Sequence, residues 1–203
     1  MKLGRRLPRS FFARPSTKVA PDLLGRVLVR ILPDGGRLSA TIVETEAYGE
    51  GDPASHAFRG RTPRNAVMFG PPGHLYVYFT YGMHFCMNVV TESEGRGSAV
   101  LLRAAEPLQG HEAMAERRGT SEVRRLCSGP ARWTQAFGIA RQENGADLVR
   151  GREVYLLEGE PVPRSAIRIT TRVGVNVGIE RPWRFLVAQS PFVSPGRPSR
   201  ITG

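Results

Sequence analysis

Lysine is almost missing from this chain of 203 residues: only Lys2 and Lys18 occur, both near the N-terminus. A mechanism built on a buried amine and a Schiff base therefore has no candidate in the body of the protein. Cysteine is nearly as scarce. Cys86 and Cys127 form no CxxC pair, which argues against a disulfide framework or a thiolate zinc site and fits a reducing compartment. The four histidines, His56, His74, His84 and His111, show no HExxH or similar ligand spacing, so no metal is expected. Neither a GxSxG nucleophile elbow nor a glycine-rich phosphate loop is present. Long apolar runs are lacking too. The most apolar stretch, 75–90, is broken by Thr80, Gly82, His84 and Asn88, which makes it too polar for a membrane span. The basic N-terminus has no apolar stretch of signal-peptide length. The expectation is a cytoplasmic protein without membrane contact.

Positive charge is what the chain has in excess. Lys plus Arg number 29 against 18 Asp plus Glu, a formal charge of +11. Such an excess suits a polyanion, because neutralised phosphates supply most sequence-independent affinity for nucleic acid; a compositional preference for arginine explains it equally well. The exception is more informative. Residues 41–100 carry more acids than bases, so the carboxylates of this segment sit on strand-like sequence against the trend of the chain.

Residues 1–18 are basic, contain proline and lack periodicity, and read as a partly ordered N-terminal arm. Residues 19–203 read as one domain, with no repeat or Gly/Ser linker to divide it. Alternating segments at 26–32, 37–48, 73–80, 84–90, 99–105, 153–157, 167–172 and 184–187 predict strands, with a turn at 33–36. Helices are expected at 108–118 and 121–126, and at 130–137, where proline takes the first position. The fold class is α+β: a single domain with a mostly antiparallel, curved β-sheet flanked by helices.

Two places carry candidate chemistry. In 41–48, strict alternation puts Ile42, Glu44, Glu46 and Tyr48 on one face and Val43, Thr45 and Ala47 on the other. Two carboxylates beside an aromatic ring suit the wall of a cleft, where a carboxylate serves as general base for water; a solvated strand face accounts for the same pattern. The hairpin 75–88 holds three of the five tyrosines and turns at Tyr81-Gly82-Met83, where polar residues are usual. An exposed wedge for a base stack and a core hairpin with buried rings both fit.

Taken together, Val43-Glu44-Thr45-Glu46-Ala47-Tyr48, His56, Thr62-Pro63-Arg64-Asn65, Gly73-His74-Leu75-Tyr76-Val77-Tyr78, Tyr81-Gly82-Met83, Cys86-Met87-Asn88 and Leu101-Leu102-Arg103 are specific. With Glu106-Pro107-Leu108, Leu126-Cys127-Ser128-Gly129-Pro130 and Arg172-Val173-Gly174, they resemble the alkyladenine (3-methyladenine) DNA glycosylase family in order along the chain. The segment 175–180 matches no part of that pattern. The resemblance implies a monofunctional enzyme, needing no cofactor, that flips alkylated or deaminated purines out of double-stranded DNA and hydrolyses the N-glycosidic bond as a monomer. It implies Glu46 as the base that activates water, with Arg103 and the Val173 carbonyl also holding that water. It gives Tyr48, His56 and Tyr78 as the aromatic slot for the base and Asn88 as the residue that excludes guanine. Tyr81 becomes the intercalating side chain, with Met83 as its apolar neighbour. Two other readings compete: a non-catalytic nucleic-acid-binding module, and a hydrolase of free nucleosides. A binder of polyanions has no use for the carboxylate at 46, and a nucleoside hydrolase leaves the aromatic tip and the charge unexplained.

Overall fold

In the computed structural model, which describes residues 4–80 and 82–199, the alternating segments pair into one curved sheet of eight strands. Every pairing is antiparallel. Strands β1 (Val27–Ile31) and β2 (Arg37–Tyr48) flank the expected turn, and β3 (Leu75–Thr80) and β4 (His84–Val90) form the expected hairpin. The sheet is completed by β5 (Ala99–Gln109), β6 (Val154–Leu157), β7 (Ile167–Thr170) and β8 (Arg184–Val187). The spatial order is β3-β4-β5-β2-β1-β6, and the β7–β8 pair attaches through β8 to β2. Helices α1 (Arg9–Phe12) and α2 (Ser16–Asp22) precede the sheet, while α3 (His111–Arg118), α4 (Val123–Leu126) and α5 (Pro130–Phe137) follow β5. The domain is therefore mixed α+β, as its sequence pattern indicates. Strand β5 runs past its expected end, so α3 starts at His111 and not at Leu108. Gly110 makes the corner at φ 85°, where a Cβ would stand 2.4 Å from Leu38 Cδ2; only glycine meets both demands.

Strand β2 organises the site. One of its edges pairs with β5 throughout, and the other pairs first with β1 and then, over Glu44–Glu46, with β8. At the changeover the β2–β5 ladder is irregular. Ile42 faces Ala105, Glu44 faces Ala104 and Thr45 faces Leu102, so Val43 and Arg103 are each left out of the pairing. An extra residue of this kind shifts the alternation by one and re-aims the side chains beyond it. The expectation that Ile42 shares a face with Glu44, Glu46 and Tyr48 is thereby corrected. Ile42 joins Leu38 and Ala40 in the main core, and beyond the bulge Ala47 takes the core side.

The core face of the sheet presents Leu75, Val77, Met87, Val89, Val100 and Leu102. Trp133 and Phe137 of α5 and Val19 and Ala20 of α2 pack in the same cluster. The opposite face carries Tyr76, Tyr78, Cys86, Asn88, Leu101 and Arg103, and these line a cavity. Among the described residues no helix is long and apolar enough to cross a membrane.

The N-terminal segment departs from the expected arm. Leu7 and Phe12 are buried in the main core. The Leu7 N–H donates to the Leu156 carbonyl at 3.1 Å, and Arg9 pairs with Asp147 at 2.5 Å. Residues 4–18 are thus docked on the domain by two apolar anchors that the surrounding basic residues conceal. Truncating such an aromatic anchor leaves a cavity, so Phe12→Ala is expected to cost about 3–5 kcal/mol of stability. Urea unfolding monitored by circular dichroism measures it; a loss below about 0.5 kcal/mol, as for a surface position, would mean that the segment is not part of the folded unit.

Candidate active site

The face of the sheet turned away from the main core borders a cavity of about 380 Å³. Tyr48, His56, Tyr78, Asn88, Arg103 and Val173 all line it. These residues come from β2, the loop that follows it, β3, β4, β5 and the segment after β7, so chain pattern and topology converge on one place. Tyr76 and Tyr78, two apart on β3, share a face and stack at 5.5 Å between ring centroids. The His56 ring stands edge-on to Tyr78 at 4.5 Å, and its Nδ1 lies 3.0 Å from the Tyr76 hydroxyl. Asn88 sits opposite Tyr76 in the β3–β4 ladder and donates its side-chain N–H to the Tyr76 carbonyl at 3.2 Å.

Glu46 stands behind this wall and has no exposed surface. Three wall residues hold its carboxylate. Tyr48 Oη donates to Oε2 at 2.9 Å, Arg103 Nη1 donates to Oε2 at 3.3 Å, and the Val173 backbone N–H donates to Oε1 at 2.7 Å. The carboxylate is capped, and the Val173 group that points at it is the amide N–H.

A second carboxylate completes the arrangement. Glu44, equally buried, accepts from Arg103 Nε at 3.0 Å, Arg184 Nε at 2.7 Å, the Ser194 N–H at 2.6 Å and Ser194 Oγ at 2.9 Å. Two anions and two guanidiniums are therefore out of water together, and each needs the others because a lone buried charge is strongly unfavourable. Burial opposes the charge on Arg103, but Glu46 and then Glu44 outweigh it and hold the guanidinium further toward its charged form. Beneath Tyr48, Arg172 makes two contacts with Asp52, donates to the Ala47 and Gly178 carbonyls, and lies 4.7 Å from the centroid of the Tyr48 ring.

The aromatic walls are neutral, and Arg103 is the charged residue of the lining. Burial, aided by the neighbouring Glu46 carboxylate, raises the Tyr48 phenol well above its ordinary value. Burial also raises Tyr78, and it pushes Tyr76 up to about 12. His56 is lowered, by burial and then by Arg64. The cavity thus offers neutral aromatic rings, a planar amide, one guanidinium and a carboxylate directly behind, a setting that accepts a flat ring and can act as a base on water.

Of the two residues expected at the hairpin turn, one is described and lies outside the cavity. Met83 is on the hairpin tip with 69% of its surface exposed, and Phe79 nearby is 40% exposed. Tyr81, between them in sequence, lies outside the described residues. Arg64 Nη2 donates to the Phe79 carbonyl at 3.1 Å and ties this tip to the exposed loop containing Arg59 and Arg61. Sequence reasoning assigned no role to Tyr76, Arg172, Arg184 or Ser194. Tyr76 had a signal in its spacing from Tyr78; the others meet the site from far along the chain.

A sequence model of the methylpurine-DNA glycosylase family matches residues 10–191. Among curated relatives, a protein of Carboxydothermus hydrogenoformans is 52% identical, over 93% of this chain and 98% of its own length. A protein of Streptomyces avermitilis is 53% identical, over 94% and 92% respectively, and one of Chlorobaculum parvum is 48% identical, over 95% and 92%. All three are named “Putative 3-methyladenine DNA glycosylase”.

The raised phenols have a measurable consequence. A group whose folded pKa lies above its unfolded value contributes stability below the unfolded pKa, about 10 for tyrosine, and that contribution is lost as pH rises through the folded value. Tyr48, Tyr76 and Tyr78 are therefore expected to stay protonated around pH 10 in the folded protein. Near-ultraviolet absorbance should rise less in the native chain than in the urea-unfolded chain at that pH, and equal rises would contradict the burial of these rings.

Proposed function

The chain belongs to the methylpurine-DNA glycosylase family, and on that premise we propose that Glu46 activates the water that releases an alkylated or deaminated purine flipped into the cavity. The enzyme class, a hydrolase of N-glycosyl bonds in DNA, follows from the family. The damaged purines named here, 3-methyladenine and 7-methylguanine together with hypoxanthine and ethenoadenine, are the finer reading. The observation that carries it is the Glu46 carboxylate held by Tyr48, Arg103 and Val173 at the wall of an aromatic cavity.

In this reading the purine stacks among Tyr48, His56 and Tyr78, which repays the unstacking needed to leave the duplex; stacking contributes ~1–3 kcal/mol per base. Asn88 at the rim excludes the guanine 2-amino group. Tyr81, with Met83 on the exposed hairpin tip as its apolar neighbour, fills the gap left in the duplex. Exposed Arg59 and Arg61 beside that tip meet phosphates, which makes binding fall as salt rises.

The tyrosine hydroxyl on Glu46 Oε2 occupies the position that a water proton needs. Entry of a base against the Tyr48 ring exchanges this hydrogen bond for one from water. As the C1′–N9 bond breaks, its electron pair leaves with the purine and positive charge develops on the sugar, which the Glu46 anion stabilises. The water oxygen bonds to C1′, its proton passes to Glu46, and an abasic sugar with a C1′ hydroxyl remains. A 3-methyladenine or 7-methylguanine already carries positive charge and departs neutral, so this step needs no general acid.

Glu46→Gln keeps the shape and removes the base, and is expected to reduce release by about 10²–10⁴-fold with DNA binding retained. Methylated purines freed from dimethyl sulfate-treated duplex, separated by chromatography, provide the measure. Release at the parental rate would remove Glu46 from the chemistry, and a parental protein that binds this DNA without releasing any base would favour the non-catalytic module.

A further inference from the structure

The residues that fix Glu46 are themselves fixed by a segment beyond the family-matched region, which ends at residue 191. Ser194 places both its N–H and its hydroxyl on Glu44, and Arg103 Nη2 reaches Ser194 Oγ at 3.4 Å. Two residues on, Gly196 lies so close to the site that a Cβ there would stand 2.7 Å from Val173 Cγ1 and 3.3 Å from Arg103 Nη2. The segment is then pinned at its far end. Ser199 N–H donates to the Arg172 carbonyl at 2.8 Å, Thr171 Oγ1 donates to the Ser199 carbonyl at 2.9 Å, and the Val175 N–H donates to Ser199 Oγ at 3.2 Å. Ser194, Pro195 and Gly196 also form one side of a groove of about 240 Å³, with Ser128–Arg132 on the other side and Arg103 between them. The segment is therefore one of the layers separating the Arg103 guanidinium from solvent.

We propose that residues 194–199 are a positioning strap for the reaction, anchored on Glu44, which holds Arg103 and the Val173 amide against the Glu46 carboxylate. The inference rests on the reading of Glu46 as the base. Neither Glu44 nor the strap lines the aromatic cavity. They act through Arg103 and Val173, whose placement sets the direction of the Glu46 oxygens. Glu44 draws the Nε side of Arg103 toward itself while Nη1 serves Glu46, so the guanidinium is shared and keeps one orientation. Gly196 supplies the close approach that brings the strap against Val173.

The test uses the full chain with Glu44→Gln, Gly196→Val and the milder Ser194→Ala, which leaves the Ser194 N–H on Glu44. Base release from dimethyl sulfate-treated duplex is measured under single turnover with enzyme in excess. Affinity for a duplex carrying a tetrahydrofuran abasic-site analogue is measured by anisotropy. Displacing a positioned group by a fraction of an ångström to one ångström is expected to slow release on the order of 10–100-fold in Glu44→Gln and Gly196→Val. Ser194→Ala, which loses one hydrogen bond, is expected to slow release by about 3–10-fold. Affinity should stay within about twofold, because none of the three substituted residues lines the aromatic cavity. Release within about twofold of the parent in all three variants would overturn the strap, as would release and affinity falling together, or a deficit that vanishes on cooling and so reports only lost stability. Failure of the parent itself to release methylated purines is a separate result, and it would sink the proposed function before any variant is compared.

Discussion

Four buried charges sit at the centre of this structure: the carboxylates of Glu44 and Glu46 and the guanidiniums of Arg103 and Arg184. Arg103 touches both acids, and Arg184 touches Glu44. Stability alone does not explain the set. Ion pairs taken out of water recover little more than their desolvation cost, and apolar residues of the same volume often do as well. Loss of any one member would nevertheless leave a charge buried without its partner. Such a cluster makes sense where an anion must be kept dry and aimed. At this place the β2–β5 ladder is irregular, with Val43 and Arg103 left out of the pairing on either side of the Glu44–Ala104 pair.

The surroundings of Glu46 follow from the same economy of donors. Two of its partners are fixed by the frame, the backbone N–H of Val173 and the shared fork of Arg103. The third, the Tyr48 hydroxyl, is a rotatable group on a neutral ring. The carboxylate can therefore be fully enclosed in the resting protein and still exchange one partner without leaving an unpaired charge. Arg172, itself held by Asp52, lies against the Tyr48 ring and helps to keep it in place. The cavity is then lined by uncharged rings together with the Arg103 guanidinium, whose charge is matched by the carboxylates behind it.

Much of this was legible in the chain and some was not, for identifiable reasons. Strand β2 and helix α5 were expected with their observed bounds because alternation and an N-terminal proline are local signals. The proximity of Glu46, Tyr48, Tyr78, Asn88 and Arg103 came from a family resemblance covering most of the domain, not from spacing. Strict alternation failed at Ile42, since a bulge depends on what the neighbouring strand does and leaves no mark on the strand itself. The docking of residues 4–18 was hidden because two apolar side chains, Leu7 and Phe12, decide it against a basic background. Contacts such as Arg172–Asp52 and Ser194–Glu44 join residues 120 and 150 positions apart, and nothing local announces them. The closure of Glu46 by Tyr48 belongs to the same class, because the two share a strand face but only side-chain rotamers bring hydroxyl and carboxylate together.

The scarcity of lysine acquires a structural meaning at this centre. An ammonium offers its donors from a single nitrogen, whereas a guanidinium offers them from three nitrogens in a rigid plane. Arg103 uses all three at once: Nε on Glu44, Nη1 on Glu46 and Nη2 toward Ser194. Arg172 similarly divides its donors between one carboxylate and two backbone carbonyls. A lysine at either place would preserve the charge and lose the geometry that lets one cation serve several acceptors from different parts of the chain. A compositional preference for arginine accounts for the exposed cations; at positions 103 and 172 it is the planar fork that the buried site requires. Charge at the surface and charge in the core thus answer to different constraints here, and only in the core does the planar fork decide which cation fits.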